Sequence, residues 1–243
     1  MKIILNGSNG RMGKEILSLI CDGYAGAELA AAVDITNTEG YKSLDEYRGE
    51  ADCIVDFTHH SATEALISYA TKHNMPLVIA TTGHSEDELK MINDAAKKIP
   101  IFLSANMAVG VAILVEIEKL VAKMMPDADI EIVETHHNRK VDAPSGTALM
   151  LANGLKEVRP DANFVLGRNG FGKREKNDIG IHAIRTGSVV GEHEVIIGTD
   201  AQTITLKHTS HNRAVLGEGA LRAAAFLISK PCGIYNMNDL IKE

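Results

Sequence analysis

Residues 134–148 read Glu134-Thr135-His136-His137-Asn138-Arg139-Lys140-Val141-Asp142-Ala143-Pro144-Ser145-Gly146-Thr147-Ala148. The run sets two adjacent histidines and two basic residues beside a Pro-Ser-Gly-Thr turn that opens onto an apolar helical stretch. Histidine titrates near neutrality and can give a proton to a reacting centre, while Arg139 or Lys140 nearby can tune it and attract an anion. Backbone N–H groups of Ser145, Gly146 and Thr147 at a helix start can bind an anion without a net charge, and Pro144 stiffens the approach to them. The chemistry that suits this set is the holding and protonation of an anionic substrate. The spacing leaves open whether Lys140 turns back toward His136 or runs on along a strand. Adjacent histidines in a strand point to opposite faces, and no third ligand follows at zinc-like spacing, so no metal is expected. The plainer alternative is a pair of inert surface histidines with solvated charges beside them.

A second stretch offers a reagent. Lys2-Ile3-Ile4-Leu5-Asn6 reads as a buried strand, followed by Gly7-Ser8-Asn9-Gly10-Arg11-Met12-Gly13 and then an amphipathic helix from Lys14. Strand, glycine turn and helix form the context that makes a glycine motif informative. The spacing is G-x-x-G-x-x-G: Gly7 permits the tight turn, Gly10 close approach of a pyrophosphate, and Gly13 close packing of the helix. Asn9, Arg11 and Met12 complete that turn. A second strand, Glu28 to Val33, ends in Asp34, placed to accept from adenosine ribose hydroxyls, and no basic residue follows directly. NADH is therefore expected over NADPH.

Further strands end in Phe57-Thr58, Thr81-Thr82-Gly83 and Ala105-Asn106-Met107, which are assigned to the nicotinamide half of the cofactor. Helices between them, one opening with Ser85 and Glu88 in capping-box spacing, imply a parallel sheet with ligands at its carboxyl edge. Beyond Val109–Met125, a helix expected to turn Glu116, Glu118, Lys119 and Lys123 to solvent, the pattern changes. Asp129 to Glu134 alternates, as do Ile179–Arg185, Glu192–Gly198 and Gln202–His208, around one helix from Thr147 to Val158. This predicts a mostly antiparallel sheet, open on one face and suited to self-association. Ala214 to Ser229 is a closing small-residue helix.

The net charge of −7 argues against nucleic acid as a partner. No apolar run reaches the ~18–20 residues needed to span a bilayer. Asn6-Gly7 breaks the first apolar run as no signal peptide would, and Cys21, Cys53 and Cys232 lack ligand spacing, so a cytoplasmic protein with reduced thiols is expected.

The glycine turn and the 134–148 run together resemble the 4-hydroxy-tetrahydrodipicolinate (dihydrodipicolinate) reductase family. Arg185-x-Gly187-x-x-Val190-Gly191-x-His193 and His208-x-x-x-x-Arg213 are similar to it as well, so the resemblance spans essentially the whole chain. It implies a Rossmann-type dinucleotide-binding domain, residues 1–107 completed by 214–243, and a central α+β substrate-binding and oligomerisation domain, residues 108–213, with an open mixed or antiparallel sheet. It further implies reduction of a cyclic dicarboxylate by NADH or NADPH in a homotetramer. By this similarity His136 is the proton donor, Lys140 holds and polarises the substrate, and His137 with the backbone at Gly146-Thr147 binds a carboxylate. The segment from Asp34 to Ser43 is short beside the family pattern, and the basic residues that often follow the acid are missing, which again points to NADH. Rival readings are a Rossmann oxidoreductase on another small carboxylate or aldehyde, and a non-catalytic nucleotide-binding sensor. The two motifs are expected to meet across a domain cleft.

Overall fold

The computed structural model describes every residue except Glu39 and divides the chain into two compact units, Met1–Val109 with Arg213–Glu243, and Gly110–Asn212. In the first unit, β1 (Lys2–Asn6) leads into α1 (Arg11–Cys21), and β2 (Glu28–Val33) and β3 (Cys53–Asp56) follow. Next come α2 (Thr63–Lys72), β4 (Leu77–Ile79), α3 (Glu86–Ala95) and β5 (Pro100–Leu103). The second unit holds α4 (Val109–Met124), β6 (Asp129–His136), α5 (Gly146–Val158), β7 (Asn163–Leu166), β8 (Asp178–Arg185), β9 (Gly191–Gly198) and β10 (Thr203–Ser210). The chain then returns to the first unit with α6 (Ala214–Leu227), β11 (Gly233–Tyr235) and α7 (Met237–Ile241).

The first sheet has the order β11-β5-β4-β3-β1-β2, every pair parallel. Ile3, Ile4, Leu5, Ile54, Val55, Leu77 and Val78 are fully buried, as continuous apolar strands covered on both faces must be. Helix α6 packs on this sheet and on α1, and its glycines permit the approach: a Cβ on Gly219 would strike the Met107 carbonyl. The C-terminal segment thus supplies both a helix and β11, a three-residue strand that alternation in the sequence does not announce. The Ser85 capping box forms, with the Glu88 carboxylate accepting from the Ser85 N–H at 2.7 Å.

The second sheet has the order β10-β9-β6-β8-β7. It is mixed rather than mostly antiparallel: β10 pairs with β9 and β9 with β6 antiparallel, while β6, β8 and the unforeseen β7 are mutually parallel. Helices α4 and α5 cover one face, burying Ile130, Ile132, Ile179, Ile181, Val195 and Ile197 against Leu114, Leu151 and Leu155. The opposite face carries half-buried Glu131, Val133 and Thr135.

One expectation for α4 is overturned. Glu118 is 0% exposed, because it falls on the stripe Val111-Leu114/Val115-Glu118-Ala122 at helical spacing. Gly154 of α5 makes the room, since a Cβ there would stand 3.2 Å from Glu118 Oε1. Lys119 is also largely covered, its ammonium bridging Glu116 and Glu157 at 2.8 Å each.

Candidate active site

In the first unit the carboxyl ends of β1, β2 and β3 build a cradle. Gly7 has φ +87°, and a Cβ there would lie 2.8 Å from the Phe57 carbonyl oxygen; one on Gly13 would lie 2.3 Å from the Gly7 oxygen. Only glycine permits this turn, as the spacing requires. Helix α1 starts at Gly10 with no side-chain cap and no acid in its first turn, so its positive end is uncompensated by its own residues. Asp34 accepts from the Asn9 N–H at 3.1 Å, and from the Thr36 N–H at 2.9 Å and hydroxyl at 2.6 Å. Burial alone would raise its carboxyl, but the bonds from Thr36 and Asn9 outweigh that and hold it below the ordinary carboxylate range.

A cavity of about 620 Å³ joins Gly7, Asn9, Gly10, Asp34, Phe57 and Thr58, within the range of small-molecule sites. Phe57 and Thr58, expected at the nicotinamide half, therefore share a cavity with Asp34. Lys42 and His59 line it too, and nothing in their spacing marked them. A cradle that any Cβ would fill, an uncapped helix start and an anionic Asp34 beside a cavity fit a dinucleotide.

Thr58 and Thr81 have another task. Their hydroxyls donate to Asp56 at 2.8 and 2.7 Å, as does the Asn6 amide at 2.8 Å. Burial raises the Asp56 carboxyl above its ordinary value despite these three donors. Thr82 and Gly83 are exposed, Met107 is buried, and the Asn106 Oδ1 accepts from the Ala108 N–H at 2.8 Å. Cys53, the one cysteine within a strand, is fully buried with its thiol pushed up by burial, which removes it as a nucleophile for thioester chemistry.

In the second unit β6 alternates so that Ile130, Ile132, Glu134 and His136 all point to the buried face. His136 Nδ1 lies 2.5 Å from Glu134 Oε2. Arg185, opposite His136 in the β6–β8 register, donates to both Glu134 oxygens at 2.8 Å each, and the Ser145 N–H donates to Oε1 at 3.0 Å. Burial would raise Glu134, yet these bonds hold it below its usual range, so a fully buried carboxylate stays charged. Arg185 also donates to the Asp142 carbonyl at 2.7 Å, tying the 137–145 loop to the sheet.

Ser145 thus departs from expectation. It is 1% exposed, its N–H is committed to Glu134, and its hydroxyl caps α5 by accepting from the Ala148 N–H at 3.2 Å. Gly146 is exposed, with open space where a side chain would stand, and Thr147 follows half-buried. Lys140 resolves the open choice in favour of a turn: its N–H donates to the His137 carbonyl at 3.1 Å. Its ammonium pairs with Asp142 at 2.8 Å, and that bond holds the Asp142 carboxyl below its ordinary value. His137 is half-buried and lies just past the end of β6.

His193 lies on β9 and adds a partner that its motif alone does not specify. Its Nε2 lies 3.1 Å from Ser145 Oγ, and its ring meets that of His136 edge-on at 5.1 Å. Burial, then the charge of His136, pushes it down to about 4, so it is neutral at physiological pH.

The family model described as "Dihydrodipicolinate reductase, N-terminus" matches residues 1–107, and "Dihydrodipicolinate reductase, C-terminus" matches residues 110–241. The chain belongs to the dihydrodipicolinate reductase family. A 4-hydroxy-tetrahydrodipicolinate reductase from Caldanaerobacter subterraneus subsp. tengcongensis is 46% identical over 250 residues, covering 100% of this chain and 99% of that protein. Another from Clostridium novyi is 44% identical over 249 residues, covering 100% and 98%. A solved dipicolinate-bound dihydrodipicolinate reductase from Paenisporosarcina sp. TG-14 shares the fold, with TM-score 0.79, 23% identity and 97% of each chain covered. The family's C-terminal region, 110–241, includes both the mixed-sheet unit and the α6–β11 return to the parallel sheet. As a dihydrodipicolinate reductase family member the chain is an oxidoreductase of the pyridine-nucleotide-dependent kind. Among the described residues no helix is long and apolar enough to cross a membrane.

Proposed function

We propose that the protein reduces dihydrodipicolinate, or its hydrated form 4-hydroxy-tetrahydrodipicolinate, to tetrahydrodipicolinate in the diaminopimelate route to lysine. Full-length identity to curated reductases supports the reaction. The structural observation that carries it is a histidine held by a buried carboxylate beside a helix start with open space at Gly146. Dipicolinate in the solved relative supports a small cyclic dicarboxylate as substrate.

Gly7, Asn9, Gly10, Arg11, Met12 and Gly13 would hold the dinucleotide pyrophosphate, and Asp34 the adenosine ribose, with Phe57 and Thr58 flanking that cavity. Thr82, Gly83, Ala105 and Asn106 would line the nicotinamide half, with Thr81 and Met107 shaping it from below. When bound, the reduced nicotinamide supplies a hydride to a ring carbon. His136 gives a proton to the electron-rich carbon left beside it: the Nε2–H bond breaks, its electron pair stays on the ring, and a C–H bond forms. Lys140 holds and polarises the substrate. His137 and the N–H groups at Gly146 and Thr147 hold a carboxylate, a task for which a helix start is suited.

NADH is the preferred cofactor in this reading. An Asp34 held anionic accepts from ribose hydroxyls and repels a 2′-phosphate. Lys42 on the same cavity is the cation that NADPH would meet. The half-buried outer face of the mixed sheet supports self-association, with a homotetramer as the proposed state, and the cytoplasm is the proposed compartment.

The test is oxidation of NADH and of NADPH with freshly generated dihydrodipicolinate. Substrate-dependent oxidation, faster with NADH, is expected; no substrate-dependent oxidation of either would end the reading.

A further inference from the structure

The ring of His136 has two nitrogens, and a proton donor must present the right one. On this chain the choice is built into the sheet. Residues two apart on a strand share a face, so Glu134 and His136 of β6 point the same way, and the carboxylate reaches Nδ1 at 2.5 Å. The carboxylate itself is immobilised, with two bonds from Arg185 at 2.8 Å and one from the Ser145 N–H at 3.0 Å. Both its oxygens therefore carry donors from three directions, and its only way to satisfy a neutral His136 is to accept an Nδ1 proton.

The other nitrogen faces a residue without a side chain. Gly191, the first residue of β9, faces His136 Nε2, and a Cβ on it would stand 3.2 Å from that atom. Any side chain at 191 would cover the nitrogen. His193, two residues on, packs edge-on against the His136 ring and fixes its plane, and is itself braced on Ser145 Oγ at 3.1 Å. Ser145 in turn donates to Glu134, so both braces of the imidazole run through the N-cap of α5.

We propose that Glu134 is a positioning residue that keeps the Nδ1 proton on His136 and so makes Nε2 the atom that transfers a proton, through an approach that Gly191 leaves open. The proposal rests on the reading of His136 as proton donor. After transfer the ring is neutral with its proton on Nδ1, held by Glu134, and a solvent proton restores Nε2–H. The charged and titratable groups around the ring are Glu134 on its own strand, Arg185 on β8, His193 on β9, and Lys140 and Asp142 in the loop that Arg185 anchors. Of these, Glu134 contacts the ring nitrogen directly.

The experiment combines a spectrum with kinetics. Nitrogen–proton correlation spectra of the imidazoles, recorded on the unsubstituted protein at a pH where His136 is neutral, should show His136 protonated at Nδ1. An Nε2-protonated neutral ring overturns the proposal, and this readout requires neither activity nor a variant. Glu134→Gln should lower kcat roughly 10- to 100-fold, within the range for general acid catalysis. It should also bring the Nε2-protonated neutral ring into the same spectra and leave NADH binding unchanged. Gly191→Ala should lower kcat with the Nδ1 signature intact. If Glu134→Gln keeps kcat and the Nδ1 signature while His136→Gln abolishes turnover, only the positioning role fails. If His136→Gln keeps full turnover, the proton-donor reading fails as well.

Discussion

Replacing Glu118 by glutamine should stabilise the second unit, and increasingly so as the pH rises. Glu118 lies on the buried stripe of α4 with 0% exposure, and neither carboxylate oxygen has a hydrogen-bond partner among the described residues. Burial raises its carboxyl from the ordinary 4.5 to about 9, only partly opposed by the charge of Lys119. Between those values the folded protein holds a proton that the unfolded chain releases, so folding stability falls as pH rises. One proton of difference is worth about 1.4 kcal/mol per pH unit, or about 4 kcal/mol over three units, with no solvent screening to reduce it. Glutamine has nearly the same shape and no proton to lose. Near pH ~4 the glutamate is protonated in the folded and the unfolded chain alike and both side chains are equally short of partners, so the two proteins should differ by no more than about 1 kcal/mol. Near pH ~8.5 the glutamine variant should be several kcal/mol more stable, on the order of the linkage value. Urea unfolding followed by far-ultraviolet circular dichroism at a series of pH values measures the difference. A stability difference that stays flat from acid to alkaline pH would show that Glu118 is not a buried neutral acid and would refute the reasoning.

Two further outcomes concern the sites. Lys140→Ala removes a cation now paired with Asp142 at 2.8 Å, and should raise the substrate KM roughly 10- to 100-fold, the worth of one charge-assisted bond; steady-state kinetics check it, and an unchanged KM counts against a carboxylate contact. Asp34→Ala should weaken NADH more than NADPH in direct titration, because only the unphosphorylated ribose offers two hydroxyls to the carboxylate; equal losses would remove Asp34 from ribose recognition.

The parallel sheet and its glycine cradle were readable because Gly7 and Gly13 stand where backbone meets backbone, and no other residue type can stand in for them. The Ser85 cap was readable for a similar reason: both halves of the motif lie within four residues. The 134–148 run drew attention to His136, and the period of a strand already put Glu134 on the same face, so that partner was legible in principle. Arg185 and His193 were not, since they reach Glu134 and Ser145 across 51 and 48 residues through the β6–β8 and β6–β9 pairings. The same limit explains Ser145. Its place at a helix start was visible, but not the buried carboxylate that takes its N–H. Glu118 departs from expectation because helical period overrides its charge, and the space for it depends on Gly154 of another helix. The strands β7 and β11 are short and carry no alternation, so only their parallel neighbours define them.

The account turns on His136 as the group that completes reduction by giving a proton to carbon. The direct measurement is the turnover of His136→Gln with NADH and freshly generated dihydrodipicolinate, alongside NADH titration of the same protein. Turnover should be lower by about 10²- to 10⁴-fold with NADH affinity unchanged. A variant that turns over at the rate of the unsubstituted protein would contradict it.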